Sequence, residues 1–166
     1  TGQGDPPGVA VIHVESARQM LAACEQALPV DIAVCAAAVS DWRADQEQPS
    51  KIKKAAGTEP PALKLTENPD ILATLSKAGK TRPALVIGLA AETDDVIAHA
   101  VDKRERKQCD WIVANDVSAA TGTFAGDDNQ VHLIRADGVE SWPRMSKVGV
   151  GDELGKRILQ HFSEAP

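Results

Sequence analysis

A carboxylate and three lysines lie close together in the segment CAAAVSDWRADQEQPSKIKK, residues 35–54. Asp41 follows an apolar run typical of a buried strand, and Lys51, Lys53 and Lys54 end the polar loop beyond it. Ligands of open α/β sheets lie outside the carboxyl ends of the strands, so this loop is a candidate site. A lysine there can bind a phosphate or neutralise a developing oxyanion. From spacing alone, a solvated charged loop is an equally good interpretation.

A second basic cluster, KRERK, ends a predicted helix. Lys103 and Lys107 continue the apolar stripe formed by Val96 and Ala100. Like charges four residues apart cost about 0.2–0.5 kcal/mol in an isolated helix, which a bound anion would relieve. Cations near a helix C-terminus gain about 0.3–1 kcal/mol from the helix dipole, so the pattern alone slightly favours a purely structural role.

Two other segments offer polar groups to a ligand. In Asn68-Pro69-Asp70, Asn68 is predicted to cap a helix whose first residue is Pro69, and such a terminus exposes backbone amides to anions. Most helix termini bind only their own cap. Asn115-Asp116 ends a predicted strand, where polar groups often orient a substrate, and a plain turn explains the pair equally well.

Composition limits the possible functions. The 166 residues carry a formal net charge of −6, which argues against a nucleic-acid surface because phosphate backbones need a broad positive face. The cysteines Cys24, Cys35 and Cys109 have neither disulfide nor metal spacing, which favours a reducing cytoplasm. No apolar run reaches membrane-spanning length, so no membrane segment is expected.

The elements that must position these residues alternate between strand and helix. Ser16 and Gln19 form a predicted capping box, and Asp137-Gly138 a predicted hairpin turn. Such alternation predicts an α/β fold: a three-layer, Rossmann-like, mostly parallel sheet finished by an antiparallel edge hairpin. Strands are expected at 9–14, 31–38, 62–65, 84–91, 111–114, 130–135 and 139–142, and helices at 16–28, 69–78, 94–107 and 151–162.

Taken in order, the motifs AAAVSDWR, KIKK, LTENPDIL, IGLAAET, DWIVANDV and FAGDDNQVHLI closely resemble bacterial phosphopantothenate–cysteine ligase. That ligase is one half of a bifunctional coenzyme A biosynthesis flavoprotein, and the resemblance runs from about residue 9 to 162. It implies that the phosphopantothenate carboxylate attacks the α-phosphate of CTP, giving an acyl-cytidylate and pyrophosphate. The cysteine amine then attacks the acyl carbon and releases CMP, and magnesium assists the nucleotide step.

The resemblance also assigns roles to residues of this chain. Lys51 is the expected catalytic residue, because it would neutralise charge around the reacting phosphate and carboxylate. Asp41 would hold the cytidine end. Independently of the resemblance, Asn115 is expected to contact substrate because it follows a predicted strand. Leu89 stands where the family often has phenylalanine. The expected nucleotide-binding residues are Cys35, Ala36, Ala37, Asp41, Pro69, Asp70, Ile71, Leu72, Leu89, Lys103 and Lys107.

For the whole chain, the resemblance implies a homodimer, with the hairpin near 130–142 as a plausible contact, and the cysteine pattern favours a cytoplasmic location. We expect residues 1–166 to form a single ligase domain that lacks the family's N-terminal strand–helix unit and does not complete catalysis alone. Flavin mononucleotide is expected only if a decarboxylase domain is fused upstream. No metal-ligating residues are assigned.

Two alternatives remain open. The chain could be a non-catalytic nucleotide-binding or dimerisation fragment of such an enzyme. It could also be a Rossmann-like oxidoreductase, although the glycines at 149, 151 and 155 do not have the spacing of a dinucleotide-binding fingerprint.

Overall fold

A computed structural model describes residues 4–36, 38–46, 62–117 and 128–164 of the chain. Its contacts divide the chain into two compact units. The first unit comprises Thr1–Leu28 and Ala38–Ile71, and the second comprises Pro29–Ala37 and Leu72–Pro166. The prediction of one ligase domain without its N-terminal strand–helix unit stays a prediction.

The elements found in the described ranges follow the predicted alternation. In chain order they are α1 (Ala17–Ala27), β1 (Ile32–Cys35), β2 (Trp42–Ala44), β3 (Leu65–Glu67), α2 (Ile71–Ser76), a 3₁₀ turn (Gly79–Thr81), β4 (Leu85–Glu92), α3 (Val96–Lys107), β5 (Trp111–Asp116), β6 (Asp128–Asn129), β7 (Val131–Arg135), β8 (Gly138–Ser141), β9 (Met145–Ser146) and α4 (Lys147–Glu164). None of these helices is long and apolar enough to cross a membrane.

The second unit is built on a five-stranded sheet with the strand order β1-β4-β5-β7-β8. Strands β1, β4 and β5 are parallel, whereas β7 and β8 are antiparallel additions at one side. The predicted antiparallel edge hairpin is therefore confirmed. Its turn residues are Ala136 and Asp137, and Gly138 begins β8 with φ +150°, a conformation that favours glycine.

Both faces of this sheet are covered, which confirms the three-layer arrangement. Successive strand residues point to opposite faces. Leu85 and Ile87 accordingly join one apolar cluster, against which Leu154 of α4 packs, and Val86 joins the other, together with Ala100 of α3. This two-sided burial explains why β4 and β5 read as nearly continuous apolar runs.

An arginine–aspartate pair fixes the start of β4. The Asp110 carboxylate accepts two hydrogen bonds from the Arg82 guanidinium, at 2.9 and 3.0 Å, and one from the Val86 backbone N–H at 2.7 Å. Arg82 also donates from Nε to the Ser76 carbonyl at 2.9 Å. One side chain thereby connects the segments that precede β4 and β5.

The first unit contains α1 and a two-stranded ribbon. The capping box predicted for α1 is confirmed, because the Gln19 backbone N–H donates to Ser16 Oγ and the Gln19 side chain accepts from the Ser16 N–H. In the ribbon, Trp42 of β2 lies opposite Glu67 of β3.

Three element predictions are wrong. Residues 9–14 form no strand, and Ile12 is 66% exposed, because a strand requires a pairing partner and the described residues provide none. The helix expected from residue 69 begins at Ile71, and the Asn68 side chain donates to the Ser40 carbonyl instead of acting as the cap. That helix ends at Ser76, so Gly79 is not its C-cap and begins the 3₁₀ turn instead.

Candidate functional site

The parallel strands of the second unit bring three predicted residues to one region of the sheet. Cys35 ends β1 and is paired with Gly88 of β4, and Asn115 near the end of β5 is paired with Ala91 of β4. Leu89 lies between these two positions on β4 and is 39% exposed. Ala36 follows β1 directly and is exposed, and residue 37 lies outside the described ranges.

Lys103 reaches this region from α3. Its ammonium Nζ donates a hydrogen bond to the Leu89 carbonyl at 3.2 Å. Ala100 of α3 is fully buried against the sheet. Lys103 lies three residues later, on the same side of the helix, and therefore remains close to β4. The structure thus places the predicted triphosphate-binding lysine beside the predicted nucleotide-binding strand.

An open groove of about 580 Å³ follows α3 and includes Lys103 in its lining. Three carboxylates also line it, and the Glu92 Oε2 atom lies 3.8 Å from His99 Nδ1. A triphosphate alone would be repelled by these carboxylates, since like charges at close range are unfavourable. The lining residues are Glu92, His99, Asp102, Lys103, Glu105 and Arg106.

Lys107 lies one turn beyond Lys103, in the last turn of α3. Arg104 and Arg106 accompany it there, so favourable interaction with the helix dipole accounts for the position of this cluster without any ligand. Its predicted contact with a triphosphate stays a prediction.

Leu72 has a packing role in the structure. A Cβ atom added to Gly88 would lie 2.5 Å from Leu72 Cδ2 and 2.8 Å from Ile112 Cδ1. The absence of a side chain at Gly88 therefore lets Leu72 pack against β4.

In the first unit, Asp41 adjoins the segment that precedes α2. Its backbone carbonyl accepts a hydrogen bond from the Asn68 N–H at 2.8 Å, and Asn68 Nδ2 donates to the Ser40 carbonyl at 2.8 Å. The predicted residues Pro69 and Asp70 follow Asn68 directly. Sequence reasoning missed this cross-link, for which the only signal was the polar type of Ser40 and Asn68.

Ile71 is 8% exposed, so only its backbone could face a ligand. Lys51 lies outside the described residues. The ribbon nevertheless joins the two ends of the segment that contains it, because the Asp45 N–H donates to the Lys64 carbonyl at 2.9 Å and their side chains form an ion pair at 3.1 Å.

The sequence did not single out Glu92, although it ends β4 directly opposite Asp116 on β5. Among the described residues there is no group of three or more side chains suited to hold a metal ion. Mg²⁺ commonly takes one or two carboxylates and completes its octahedron with water and substrate phosphates. Glu92 and Asp116 supply carboxylates of the kind that Mg²⁺ takes, and magnesium binding stays a prediction.

Cys109 is poorly suited to nucleophilic chemistry. Cys109 is buried beneath α3, and this burial raises the pKa of its thiol above the ordinary value. The thiol is consequently protonated at neutral pH and is a poor nucleophile.

Comparison with known proteins identifies the family. Residues 1–162 match the model of the DNA/pantothenate metabolism flavoprotein C-terminal domain. The coenzyme A biosynthesis bifunctional protein CoaBC of Escherichia coli K12 is 40% identical over 162 residues, which are 96% of this chain and 39% of that protein. CoaBC of Mycobacterium bovis is 41% identical over 150 residues, 84% of this chain and 35% of the relative. The chain thus spans about two fifths of these relatives.

Solved structures of related proteins have the same fold as this chain. The crystal structure of the C-terminal domain of CoaBC superposes with a TM-score of 0.75 at 31% identity, covering 99% of this chain and 71% of that one. The flavoprotein from Streptococcus pneumoniae gives a TM-score of 0.71 at 15% identity, over 95% of this chain and 74% of that one, which shows a shared fold. Because the family model covers nearly the whole chain, the resemblance inferred from the ordered motifs is confirmed, and the chain belongs to the family of the DNA/pantothenate metabolism flavoprotein C-terminal domain.

Proposed function

We propose that this chain carries the CTP-dependent ligation of phosphopantothenate to cysteine in coenzyme A biosynthesis. The observation that carries the proposal is the hydrogen bond from Lys103 Nζ to the Leu89 carbonyl, 3.2 Å long, in a chain that belongs to a pantothenate-metabolism family. It fixes a cation beside the region of β1, β4 and β5 where open α/β sheets bind ligands.

In the first chemical step, a carboxylate oxygen of phosphopantothenate bonds to the α-phosphorus of CTP, and the α–β anhydride bond breaks to release pyrophosphate. Negative charge develops on the phosphate oxygens. Lys103 and Lys107 would bind the triphosphate, and Lys51 would neutralise charge at the reacting centre. Magnesium, when bound, would screen the phosphate charge.

In the second step, the cysteine nitrogen bonds to the acyl carbon, loses a proton and displaces CMP. Asp41 would hold the cytidine end so that the acyl carbon stays within reach, a role of positioning. Asn115 is the proposed substrate contact, because its Oδ1 atom is buried and has no hydrogen-bond partner among the residues that the structure describes. A buried acceptor of this kind needs a donor.

Isothermal titration calorimetry with CTP and magnesium tests the nucleotide site. We expect Lys103→Ala and Lys107→Ala each to weaken CTP binding at least tenfold, because each removes a charge-assisted contact of about 1.5–3 kcal/mol. Lys77→Ala, at an exposed position just after α2, is the matched control and should bind CTP like the parent chain.

The possible outcomes separate the candidate functions. CTP binding to this chain that depends on Lys103 supports the ligase. Because residues 1–166 are not expected to complete catalysis alone, CMP release that requires phosphopantothenate and cysteine is expected only when the N-terminal strand–helix unit is also present. CTP binding without CMP release even when that unit is present favours a nucleotide-binding module. Absence of CTP binding together with tight NADH binding would overturn both.

A further inference from the structure

A second cavity lies at the opposite end of the sheet from Leu89 and Asn115. It has a volume of about 550 Å³ and is lined by the last turn of α3, the start of β5, the end of β7, the β7–β8 turn and the C-terminal half of α4. Ile112 is paired with Ile134, so Trp111 and Arg135 meet at this end. All of the lining residues belong to the second unit.

Two of the charged groups in the cavity are already neutralised. Arg157 makes hydrogen bonds to Glu140 at 3.0 Å and an ion pair with Glu153 at 2.9 Å. Asp110 accepts from Arg82 and from the Val86 N–H.

Two other arginines in the cavity each have a side-chain donor without an acceptor among the described residues. The Nε atoms of Arg104 and Arg135 are buried and make no hydrogen bond within the described part of the chain. Arg135 Nε lies 3.3 Å from Asp137 Oδ1, which is an ion-pair contact without hydrogen-bond geometry, and Asp137 is largely exposed. A buried donor without an acceptor costs about 1–3 kcal/mol, so we expect a bound ligand to supply the acceptor.

The remaining wall is aromatic and polar. The His161 ring meets the Trp111 ring edge to face, with centroids 5.3 Å apart, and both residues line the cavity. Glu164 is an acid on the same wall, and the Gln160 side chain donates to it at 2.8 Å. The lining thus contains three arginines and three carboxylates, and within the described ranges its arginines without a hydrogen-bond acceptor at Nε are Arg104 and Arg135.

We infer that this cavity binds a small oxyanion through Arg104 and Arg135. The Nε and Nη groups of one guanidinium donate side by side to two oxygens of a phosphate or a carboxylate. Such a ligand satisfies both buried Nε–H groups, and it binds at the end of the sheet away from Lys103. This inference does not depend on the proposed ligase activity.

NMR titration of the chain with inorganic phosphate, and separately with acetate, tests the inference. We follow the Nε–H signals of Arg104 and Arg135 and the indole N–H signal of Trp111, because these residues line this cavity and not the groove of Lys103. Saturable shifts of these signals are expected. Saturation by phosphate alone assigns a phosphate ligand, and saturation by both anions assigns a general oxyanion site.

Variants provide the decisive comparison. We expect the double variant Arg104→Gln/Arg135→Gln to weaken phosphate binding at least tenfold. Arg104→Lys keeps the charge but loses the paired N–H donors of the guanidinium, and should weaken phosphate binding severalfold. Lys156→Gln, on the exposed side of α4, should bind phosphate as the parent does. Non-saturating shifts with both anions, or equal affinity in the parent and Arg104→Lys, would overturn the inference.

Discussion

Gly88 shows how a single residue sets the geometry beside the candidate site. The position is buried on β4, and its missing side chain makes room for Leu72 and Ile112. Because Gly88 is paired with Cys35, any outward shift of Leu72 would act close to the strand ends that are proposed to bind nucleotide.

We predict that Gly88→Ala destabilises the fold by about 1–3 kcal/mol, since the new methyl group overpacks a filled core. Urea unfolding followed by circular dichroism measures the change. Gly155→Ala in α4 is the control, because nothing lies within 4 Å of its Cβ position, and there alanine should stabilise the helix by up to about 1 kcal/mol.

A double variant sharpens this test. Shortening Leu72 to alanine removes the atom closest to the new methyl group, so Gly88→Ala/Leu72→Ala should be less destabilised than the sum of the single changes. Additive effects would show that the contact with Leu72 is not the source of the cost.

At the residue scale, sequence reasoning identified Lys103 from its place on the apolar stripe of α3, because helical periodicity fixes which side chains face the sheet. It could not identify the acceptor, the Leu89 carbonyl, since that contact depends on how α3 packs across β4. Glu92 was missed for a similar reason, because its pairing with Asp116 exists only in the assembled sheet.

At the element scale, α4 is tied to the edge strand β8 by Glu140 and Arg157. The hydrogen bonds from the Arg157 guanidinium hold the pKa of the Glu140 carboxyl below its ordinary value. A carboxyl whose folded-state pKa is lowered stabilises the fold above its unfolded-state pKa, about 4.3 for glutamate, and this contribution is lost as pH falls through the lower folded-state value.

We predict that Glu140→Gln lowers the free energy of unfolding at pH 7 and reduces the loss of stability on acidification below about pH 4.3, where the parent loses the ion pair. Urea unfolding at a series of pH values measures both effects. Asp152→Asn, an exposed change on α4, should leave the acid dependence unaltered. Parallel pH curves for the parent and Glu140→Gln would contradict the assignment.

The elements that sequence predicted well are those whose signals are local. The apolar runs of β4 and β5 and the Ser16–Gln19 capping box each depend on neighbouring residues. The failures involve partners distant in sequence. Residues 9–14 have a strand-like composition but no pairing partner among the described residues, and the β2–β3 ribbon joins segments that are 23 residues apart at Arg43 and Thr66.

At the scale of the whole molecule, the sheet has an open side. Within the described ranges β8 is paired with β7 alone, and an edge strand exposes unpaired backbone groups that favour association with another chain. Val139 on β8 is 43% exposed, which adds apolar surface to that edge. The sequence predicted a homodimer with this hairpin as its contact, and the edge is suited to such a role.

We predict that the chain forms a homodimer through β8, with twice the 17.6 kDa mass of one chain in size-exclusion chromatography with light scattering. Val139→Lys should raise the dimer dissociation constant at least tenfold, because it places a charge in the contact and, at an edge, lysine opposes strand pairing. Val148→Lys on α4, where the valine is 75% exposed, adds the same charge away from β8 and should leave the mass unchanged. A monomer at every concentration would exclude the dimer, and equal weakening by both lysines would place the contact elsewhere than β8.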